Sequence, residues 1–510
     1  MGEYPRLKQE CGIIDDSLAT FAWKRPVQII MRRRSRLIIS FCAVLILVAL
    51  VIVEGASVPE ILVPPRSNTI ISGVTVINPG VGRFVDYSIV IREGVIREVR
   101  ARAPWDPDPI CTDCFAVPGL IDAHVHTPPR IVIGNQPLFA LLYLAHGVTT
   151  VRDVGTSDGS IADLAARLNN GDLVGPQMLR CGPVLEGDPP GWPMARVIED
   201  AQAGTEIVTE LAKDGVDCIK VYNELSVEAY DAISTAARQF DIPVIGHVPH
   251  NVGLENILDF EAQHMTGVPY LSRPRPPTGW DIRNEDVLLL SDIDIDHAFD
   301  IALRQRVSFT PTLANFRLRL IASDPERFPP TPASDHLPEY WAAQWDLIAG
   351  HPSTEEEISL QVEAMPKMRL LVRRAHERGI DVLAGTDTLI PWVVPGESLH
   401  LELAELADAL GDVESALAAA TTVNGRHLGN GELGVIAPGA RADILLTRTD
   451  PTIELAALRE WQVLFTDGRR YDRATVDGWL IEYRQYFHGW FQQKFMAPVV
   501  AAAATFFVHE

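Results

Sequence analysis

Residues 117–126 read VPGLIDAHVH, an apolar segment that ends in two histidines, and this stretch decides how the fold is interpreted. Side chains two apart on a β-strand point to the same side, so His124 and His126 can present two imidazoles to one metal ion. An apolar strand that ends in such a pair is typical of a (β/α)8 barrel, where the chemistry lies at the carboxyl ends of the strands. The pair alone is weak evidence, so the interpretation depends on ligands further along the chain.

The sequence between about Val117 and Asn424 alternates short apolar strands with amphipathic segments, which indicates a parallel α/β arrangement. Eight candidate strands follow one another: GLIDAHV, GVTTVRDV, QMLRCG, DCIKVY, PVIGHV, FEAQHM, VSFTPTL and DVLAGTD. A proline-rich insertion before the eighth strand, from Pro325 to Pro338, is expected to shape the substrate pocket. We therefore predict a TIM-type (β/α)8 barrel over residues 117–424.

The segments on both sides of the barrel have a different pattern. Residues 68–116 and 425–480 alternate Val and Ile with polar residues and break at Gly and Pro, which predicts short antiparallel strands. Neither segment is long enough to be a stable domain alone, so we predict one small β-sandwich built from both ends of the chain. Residues 481–510 are largely apolar, and we expect a docked helical tail there.

An uncharged apolar run occupies residues 37–53 and is at the short limit for crossing a bilayer. Six basic residues precede it within residues 24–36, and the first basic residue after it is Arg66. The positive-inside rule therefore places the N-terminal segment in the cytoplasm and residues 54–510 outside it.

Two interpretations of this run differ in what happens after export. The favoured one is a single uncleaved anchor, followed by a linker over residues 54–67 that holds the catalytic domain at the membrane. The alternative is a secretory signal that starts at Met31, whose basic MRRRSR segment precedes the run, and that is removed to release the protein.

Composition excludes several classes of protein. The formal net charge of −23 and the lack of a basic patch in the main body argue against a nucleic-acid partner. Six cysteines are too few for a disulfide scaffold. Cys111 and Cys114 have CxxC spacing without a second CxxC, so we expect a small surface disulfide or two idle thiols. A homo-oligomer is left open.

Metal-binding groups stand at the ends of five of the eight candidate strands. The carboxyl ends of parallel strands meet at one face of a barrel, so groups at these positions are expected to lie together. In chain order the six groups are His124, His126, Lys220, His247, His264 and Asp387.

This set resembles that of the amidohydrolase superfamily, in which an HxH pair, a Lys, two His and an Asp hold two divalent metals. The segments VPGLIDAHVH, GVTTVRD, VSFTPTL, RGIDVLAGTD and LGVIAPGARADILL are similar to those of its imidazolonepropionase-like and metal-dependent prolidase-like branch. The resemblance covers nearly the whole chain after the linker. It implies a hydrolase that cleaves an amide, cyclic amide or dipeptide C–N bond.

By the same resemblance, Lys220 carries a bridging ligand. An ammonium group has three donors and cannot ligate a metal, so the amine would react with carbon dioxide to give N6-carboxylysine, whose two oxygens bridge both ions. Nearby cations lower the pKa of a lysine and favour the anionic carbamate. The alternative is an ordinary lysine paired with Asp217 or Glu224.

The resemblance also implies a reaction. His124, His126 and Asp387 would hold the more buried ion, and His247 and His264 the other. A hydroxide bridging both ions would attack the carbonyl, and Asp387 would accept its proton and pass it to the leaving amine. Zinc is the favoured metal for these ligands, and Mn, Co or Fe could occupy the same set.

Three further residues are candidates for contact with the substrate: Arg152, Tyr222 and His400. Each could bind a substrate carboxylate or stabilise the intermediate, and each has a structural alternative. For Arg152 that alternative is an ion pair with Asp153 or with a neighbouring loop.

The sequence thus predicts a metal-dependent amidohydrolase that acts on a small molecule or a dipeptide. One alternative is a mononuclear deaminase or lactonase of the same fold, against which Lys220 argues because it implies two metals. The other is a non-catalytic, membrane-tethered interaction scaffold, which would be expected to have lost ligands.

Overall fold

The chain divides into two compact units, residues 1–57 and residues 58–510. The computed structural model describes residues 55–128, 130, 133–156, 159–192, 194–269, 284–324, 326–328, 335–341, 345, 354–388, 390–429 and 431–508, with isolated positions at 42, 45, 46, 49, 52 and 53. Most of the predicted apolar run therefore lies outside the described residues. Among the helices that are described, none has the length and apolar content needed to span a bilayer.

Strands are distributed along the whole second unit. In chain order they are β1 (Thr69–Asn78), β2 (Gly82–Arg92), β3 (Val95–Ala101), β4 (Phe115–Pro118), β5 (Leu120–Val125), β6 (Val148–Asp153), β7 (Gln177–Arg180), β8 (Leu185–Glu186), β9 (Arg196–Val197), β10 (Ile219–Val221), β11 (Val244–Gly246), β12 (Phe260–Gln263), β13 (Ser308–Thr310), β14 (Ile444–Thr447), β15 (Val463–Thr466) and β16 (Arg469–Asp472).

The α-helices alternate with the barrel strands and then close the chain. They are α1 (Asn135–Ala145), α2 (Ser160–Asn170), α3 (Ala201–Asp214), α4 (Val227–Gln239), α5 (Asn284–Leu289), α6 (Asp292–Gln305), α7 (Leu313–Ser323), α8 (Glu355–Glu377), α9 (Glu397–Leu410), α10 (Val413–Ala418), α11 (Asn424–Leu428), α12 (Arg473–His488) and α13 (Ala497–Val508). Short π-helical segments join α10 to α11 and follow α12.

Both ends of the chain contribute to one seven-stranded sheet, in the order β16-β15-β14-β4-β1-β2-β3. β4 joins the two halves because it pairs parallel with β1 and antiparallel with β14. We predicted a sandwich of two sheets, whereas the described strands of this region form a single sheet. Register shifts around Val74 bend β1, and side chains from both halves, such as Ile89 and Phe465, share one buried cluster.

Seven of the eight predicted barrel strands are present as β-strands, and the eighth is a segment with isolated parallel bridges. β5, β6 and β7 form one group, and β10 to β13 form another. The amide of Asp217 donates to the carbonyl of Arg180 (2.8 Å), which connects the two groups. The segment from Val382 to Thr388 occupies the eighth place, with parallel bridges to Phe309 on one side and Val125 on the other.

Two glycines allow the strands to approach closely beside the predicted ligands. At Gly246, with φ +138°, a Cβ would come within 2.1 Å of the carbonyl oxygen of Val221. At Gly385 a Cβ would lie 2.8 Å from the Cβ of His124. A side chain at either position would push a ligand-bearing strand away from its neighbour.

Four of the six cysteines are paired. Cys111 and Cys114 form a disulfide within the buried cluster of the seven-stranded sheet, not the surface disulfide that we expected. The sequence did not predict the second disulfide, Cys181–Cys218. It is also buried, and it joins the residue after β7 to the residue before β10.

Two later segments, the insertion before the eighth strand and the C-terminal tail, pack near α1, the helix that follows β5. The ring of Trp341, in the described part of the insertion, packs at 5.9 Å from that of Phe139 on α1. Gln492, after α12, donates to the carbonyl of Ile133 (3.2 Å) and accepts from the hydroxyl of Tyr340 (3.0 Å). The tail is therefore a docked helix. Four prolines of the insertion, Pro325, Pro329, Pro330 and Pro332, lie outside the described residues.

Candidate metal centre

The two histidines of the opening stretch meet the aspartate of the eighth strand. Nε2 of His124 lies 3.2 Å from Oδ1 of Asp387, and Nε2 of His126 lies 3.3 Å from the same oxygen. One ligand atom from each of the three residues lies within 4.8 Å of the other two. These distances suit a single cation shared by two imidazoles and a carboxylate.

The other two histidines lie beside this group. The rings of His124 and His264 are 4.8 Å apart between centroids, and those of His264 and His247 are 5.1 Å apart. Nε2 of His264 is 3.9 Å from Oδ2 of Asp387. The structure thus brings all four predicted histidines and the aspartate into one cluster.

Lys220 belongs to the same cluster. Its side chain is almost fully buried, at 1% exposure, on the central residue of β10. Its positive charge is among the causes that lower the pKa of His124, His247 and His264. A buried lysine next to several imidazoles is where the resemblance requires the bridging residue.

Each histidine is oriented by an oxygen that contacts its Nδ1, which leaves Nε2 as the ligand atom. The partners are Gln263 Oε1 for His124, the carbonyl of Gly155 for His126 (2.8 Å), Asn223 Oδ1 for His247 (3.0 Å) and Thr312 Oγ1 for His264 (2.5 Å). Sequence reasoning missed Gln263, Asn223 and Thr312. Their only signal is that each lies within three residues of a predicted ligand or in the loop after a barrel strand.

Burial favours the neutral form of three of the rings. Burial, and then the charge of Lys220, lowers the pKa of His124 to about 4. Burial lowers the pKa of His247 and of His264 well below the ordinary value. For His126, burial also lowers the pKa, but the hydrogen bond and charge of Asp387 outweigh it and raise the pKa. Neutral imidazole is the form that binds a metal.

Arg152 is held by the protein on both sides of its guanidinium. Nε donates to the carbonyl of Ala123 (2.8 Å), and the two terminal nitrogens form a buried bidentate pair with Glu261. This is the structural alternative that the sequence left open, with Glu261 in place of Asp153. Burial would raise the pKa of Glu261, but Arg152 outweighs it and lowers the pKa to about 2.

Glu261 also orients His124 through a second residue. Nε2 of Gln263 donates to Oε1 of Glu261 (2.7 Å), so the amide oxygen of Gln263 faces Nδ1 of His124. Arg152 therefore acts on the metal centre through a chain of three contacts. Its predicted contact with the substrate has no such geometric support.

Asp387 is fixed by its own contacts and by its backbone. Nδ2 of Asn315 donates to Oδ2 of Asp387 (2.7 Å), and Asp387 adopts a left-handed φ of 63°. Left-handed φ also occurs at His264 (56°) and Thr312 (48°). Strained non-glycine residues of this kind concentrate at functional sites. Sequence reasoning did not identify Asn315.

Asp122 connects β5 to the eighth strand below Asp387. Its carboxylate accepts from the amide (3.0 Å) and hydroxyl (2.7 Å) of Thr386. Burial raises the pKa of Asp122 to about 7, against the opposing effect of these hydrogen bonds. The segment that carries Asp387 is thereby tied directly to the strand that carries His124.

The remaining two candidates for substrate contact occupy different surroundings. The ring of Tyr222 stacks against His247, with centroids 3.9 Å apart, so Tyr222 lies at the cluster. His400, on α9, is buried and its Nε2 contacts the carbonyl of His146 (3.0 Å) at the end of α1.

The residues present fit a divalent metal. Nε2 of His124 is fully buried and makes no hydrogen bond in the structure, although it lies close to a carboxylate oxygen. A buried polar nitrogen of this kind has a large desolvation cost unless a cation or a proton occupies its lone pair. Imidazole nitrogens with one carboxylate are a ligand set that zinc prefers.

A family comparison agrees with this geometry. Residues 115–472, well over half of the chain, match the model of the amidohydrolase family. The chain belongs to the amidohydrolase family. Both the predicted family and the prediction of a hydrolase acting on carbon–nitrogen bonds are thereby confirmed.

Solved structures share the fold of this amidohydrolase. Bottromycin amidohydrolase is 24% identical, with a TM-score of 0.65, over 82% of this chain and 91% of its own. A Xaa-Pro dipeptidase with methionine bound in its active site is 19% identical, with a TM-score of 0.59, over 80% of this chain and 100% of its own. Ochratoxinase of A. niger is 16% identical, with a TM-score of 0.57, over 79% and 95%. A search of curated protein sequences gave no significant match.

Replacing Asn315 tests whether this amidohydrolase depends on the oriented carboxylate. We expect Asn315→Ala to lower kcat about 10–100-fold, the usual effect of losing a residue that orients a metal ligand. The matched control is Asn169→Ala, which removes hydrogen bonds to the backbone of Met178 far along the chain from the cluster. Equal kcat in Asn315→Ala and wild type would show that Asp387 needs no such support.

Proposed function

We propose that this amidohydrolase cleaves an amide, cyclic amide or dipeptide C–N bond with two divalent ions, zinc being favoured, and with Lys220 as N6-carboxylysine. The observation that carries the proposal is the orientation of the four histidines. Each has an oxygen partner at Nδ1, so each can offer Nε2 to a metal. A scaffold without catalysis would have no need for four such partners.

Two divalent ions at this centre would polarise the substrate carbonyl and lower the pKa of the attacking water. The protein side of the reaction rests on Asp387. Burial would raise its pKa, but His124 and His264 outweigh burial and hold the pKa well below the ordinary value, so the carboxylate is ionised and can accept a proton. Asn315 fixes its orientation, and the leaving amine would then receive the proton from Asp387.

Tyr222 is the best placed of the predicted substrate contacts. It packs on His247 and its hydroxyl could donate to a substrate carboxylate or to the developing oxyanion. Prolidase-type dipeptides present such a carboxylate, which is consistent with the dipeptidase among the structures of the same fold. Arg152 and His400 stay weaker predictions.

We also propose that the catalytic unit lies outside the cytoplasm, attached through residues 37–53, with release after signal cleavage as the alternative. Two features support export. The charge pattern around the apolar run favours it. Both disulfides, Cys111–Cys114 and Cys181–Cys218, need an oxidising compartment to persist.

The function is tested by metal content and a substrate panel. The full chain, purified in detergent, would be assayed for bound metal and for hydrolysis of N-acyl amino acids, dipeptides, cyclic amides and lactones. We expect about two ions per chain with amide hydrolysis. One ion with ammonia release or with lactone hydrolysis would support the mononuclear alternative, and absence of both metal and turnover would support the scaffold.

Removing the proton acceptor separates catalysis from metal binding. We expect Asp387→Asn to abolish detectable turnover while much of the metal is retained, because the histidines remain in place. Metal analysis and kcat measured on one preparation would check both statements. The control is Asp381→Asn, a half-exposed carboxylate paired with Arg426. Activity of Asp387→Asn within about tenfold of wild type would refute its role.

A substitution of Lys220 tests the proposed carbamate bridge between the two ions. Lys220→Ala should lower the metal content below two ions per chain, since the carbamate would supply a ligand to each ion. Mass spectrometry under native conditions should find the carboxyl group on the wild-type chain alone. Lys213→Ala, an exposed lysine at the end of α3, serves as the control. Retention of two full equivalents of metal in Lys220→Ala would exclude the bridge.

A further inference from the structure

The end of the chain exposes large apolar side chains next to a basic residue. After α12, Trp490 is 55% exposed, Phe495 44% and Val499 41%. The rings of Trp490 and Phe495 contact each other at 5.1 Å between centroids, so the exposed groups form one surface. We name Trp490, Lys494, Phe495 and Val499 the C-terminal patch.

The sequence around the C-terminal patch differs in charge from the rest of the chain, although the exposed Glu339 contacts His488 at the end of α12. The chain carries a net charge of −23, yet no Asp or Glu occurs between Glu482 and Glu510. Arg484 and Lys494 lie in this interval, and both are exposed. Exposed aromatic rings with basic neighbours are typical of the layer where a protein meets lipid headgroups.

The chain that follows the predicted anchor passes close to the C-terminal patch. Pro59 accepts a hydrogen bond from the hydroxyl of Tyr483 on α12 (3.3 Å). α12 ends at His488, and Trp490 follows after Gly489. Five residues separate Val53, the end of the apolar run, from Pro59, and the six Cα–Cα steps between them can span at most about 20 Å.

We propose that the C-terminal patch docks on the phospholipid surface of the membrane to which residues 37–53 attach the chain. The inference rests on the proposed anchor and adds a second contact that would limit rotation of the catalytic unit. The short tether would keep Pro59 near the bilayer, and the patch begins two residues after the end of α12, the helix that carries the partner of Pro59. Trp490 and Phe495 would enter the headgroup layer while Lys494 pairs with phosphates.

An environment-sensitive label on the patch tests this contact. In the full chain with Cys11→Ser and Cys42→Ser, Phe495→Cys would carry an NBD fluorophore, and the protein would be reconstituted in vesicles of phosphatidylcholine and phosphatidylglycerol. We expect a blue-shifted emission and quenching of about twofold or more by brominated acyl chains, because the label would lie at the acyl boundary. Adding Trp490→Asp and Val499→Asp should return the label to water.

The matched control carries the label at Ile293 on α6, which is 81% exposed and should not be quenched. An unquenched label at position 495 in chains that sediment with the vesicles would overturn the patch and leave the anchor standing. An unquenched label in chains that do not sediment would overturn both. Equal quenching at positions 495 and 293 would also overturn the proposed docking. So would a blue shift that depends on protein density and not on bromine, because it would indicate contact between copies of the chain.

Discussion

The approach of the Asp387 carboxylate to the imidazoles of His124 and His126 is the contact on which the site depends. It requires the eighth strand to close against β5, although that strand has only isolated bridges to its neighbours. Three features compensate for the sparse pairing. Gly385 removes the side chain that would collide with His124, the hydroxyl and amide of Thr386 bind Asp122, and the amides of Thr386 and Asp387 donate to the carbonyl of His124. Barrel closure and assembly of the centre are therefore the same event.

The interior around this contact contains two buried acidic groups, Glu261 and Asp122. One has a cationic partner and the other does not. Glu261 has Arg152 as a bidentate partner and stays ionised, so a buried charge there serves to orient Gln263 and His124. Asp122 has only neutral donors, and burial raises its pKa to about 7. A buried ion pair seldom adds much net stability over an apolar pair. Its retention beside the candidate metal ligands is better explained by the orientation that it gives to them.

The sequence predicted the residues that lie at the ends of the barrel strands. It did not predict the residues that orient them. The clustering of the strand-end groups could be predicted because His, Lys and Asp at successive strand ends are rare by chance, and the structure brings His124, His126, His247, His264 and Asp387 together. Gln263 and Asn315 could not be predicted, because an amide side chain has no distinctive spacing in the sequence and its role depends on the tertiary contact that it makes. The single sheet in place of a sandwich was equally hidden, since alternating apolar residues report which face is buried and not which strand lies alongside.

Glu402 shows how far from the ligands this support extends. From α9 it accepts the amide of Ala314 (2.6 Å) in the first turn of α7, a helix whose N-cap Thr312 provides no capping bond of its own. Thr312 instead uses its hydroxyl on His264, and Asn315 in the same turn uses its amide on Asp387. Burial raises the pKa of Glu402 to about 8, so the group is kept where it is costly to ionise. The cost is understandable if Glu402 replaces the cap that Thr312 cannot supply. Because Glu402 then supplies the cap, the first turn of α7 can orient two residues of the candidate metal centre, His264 and Asp387.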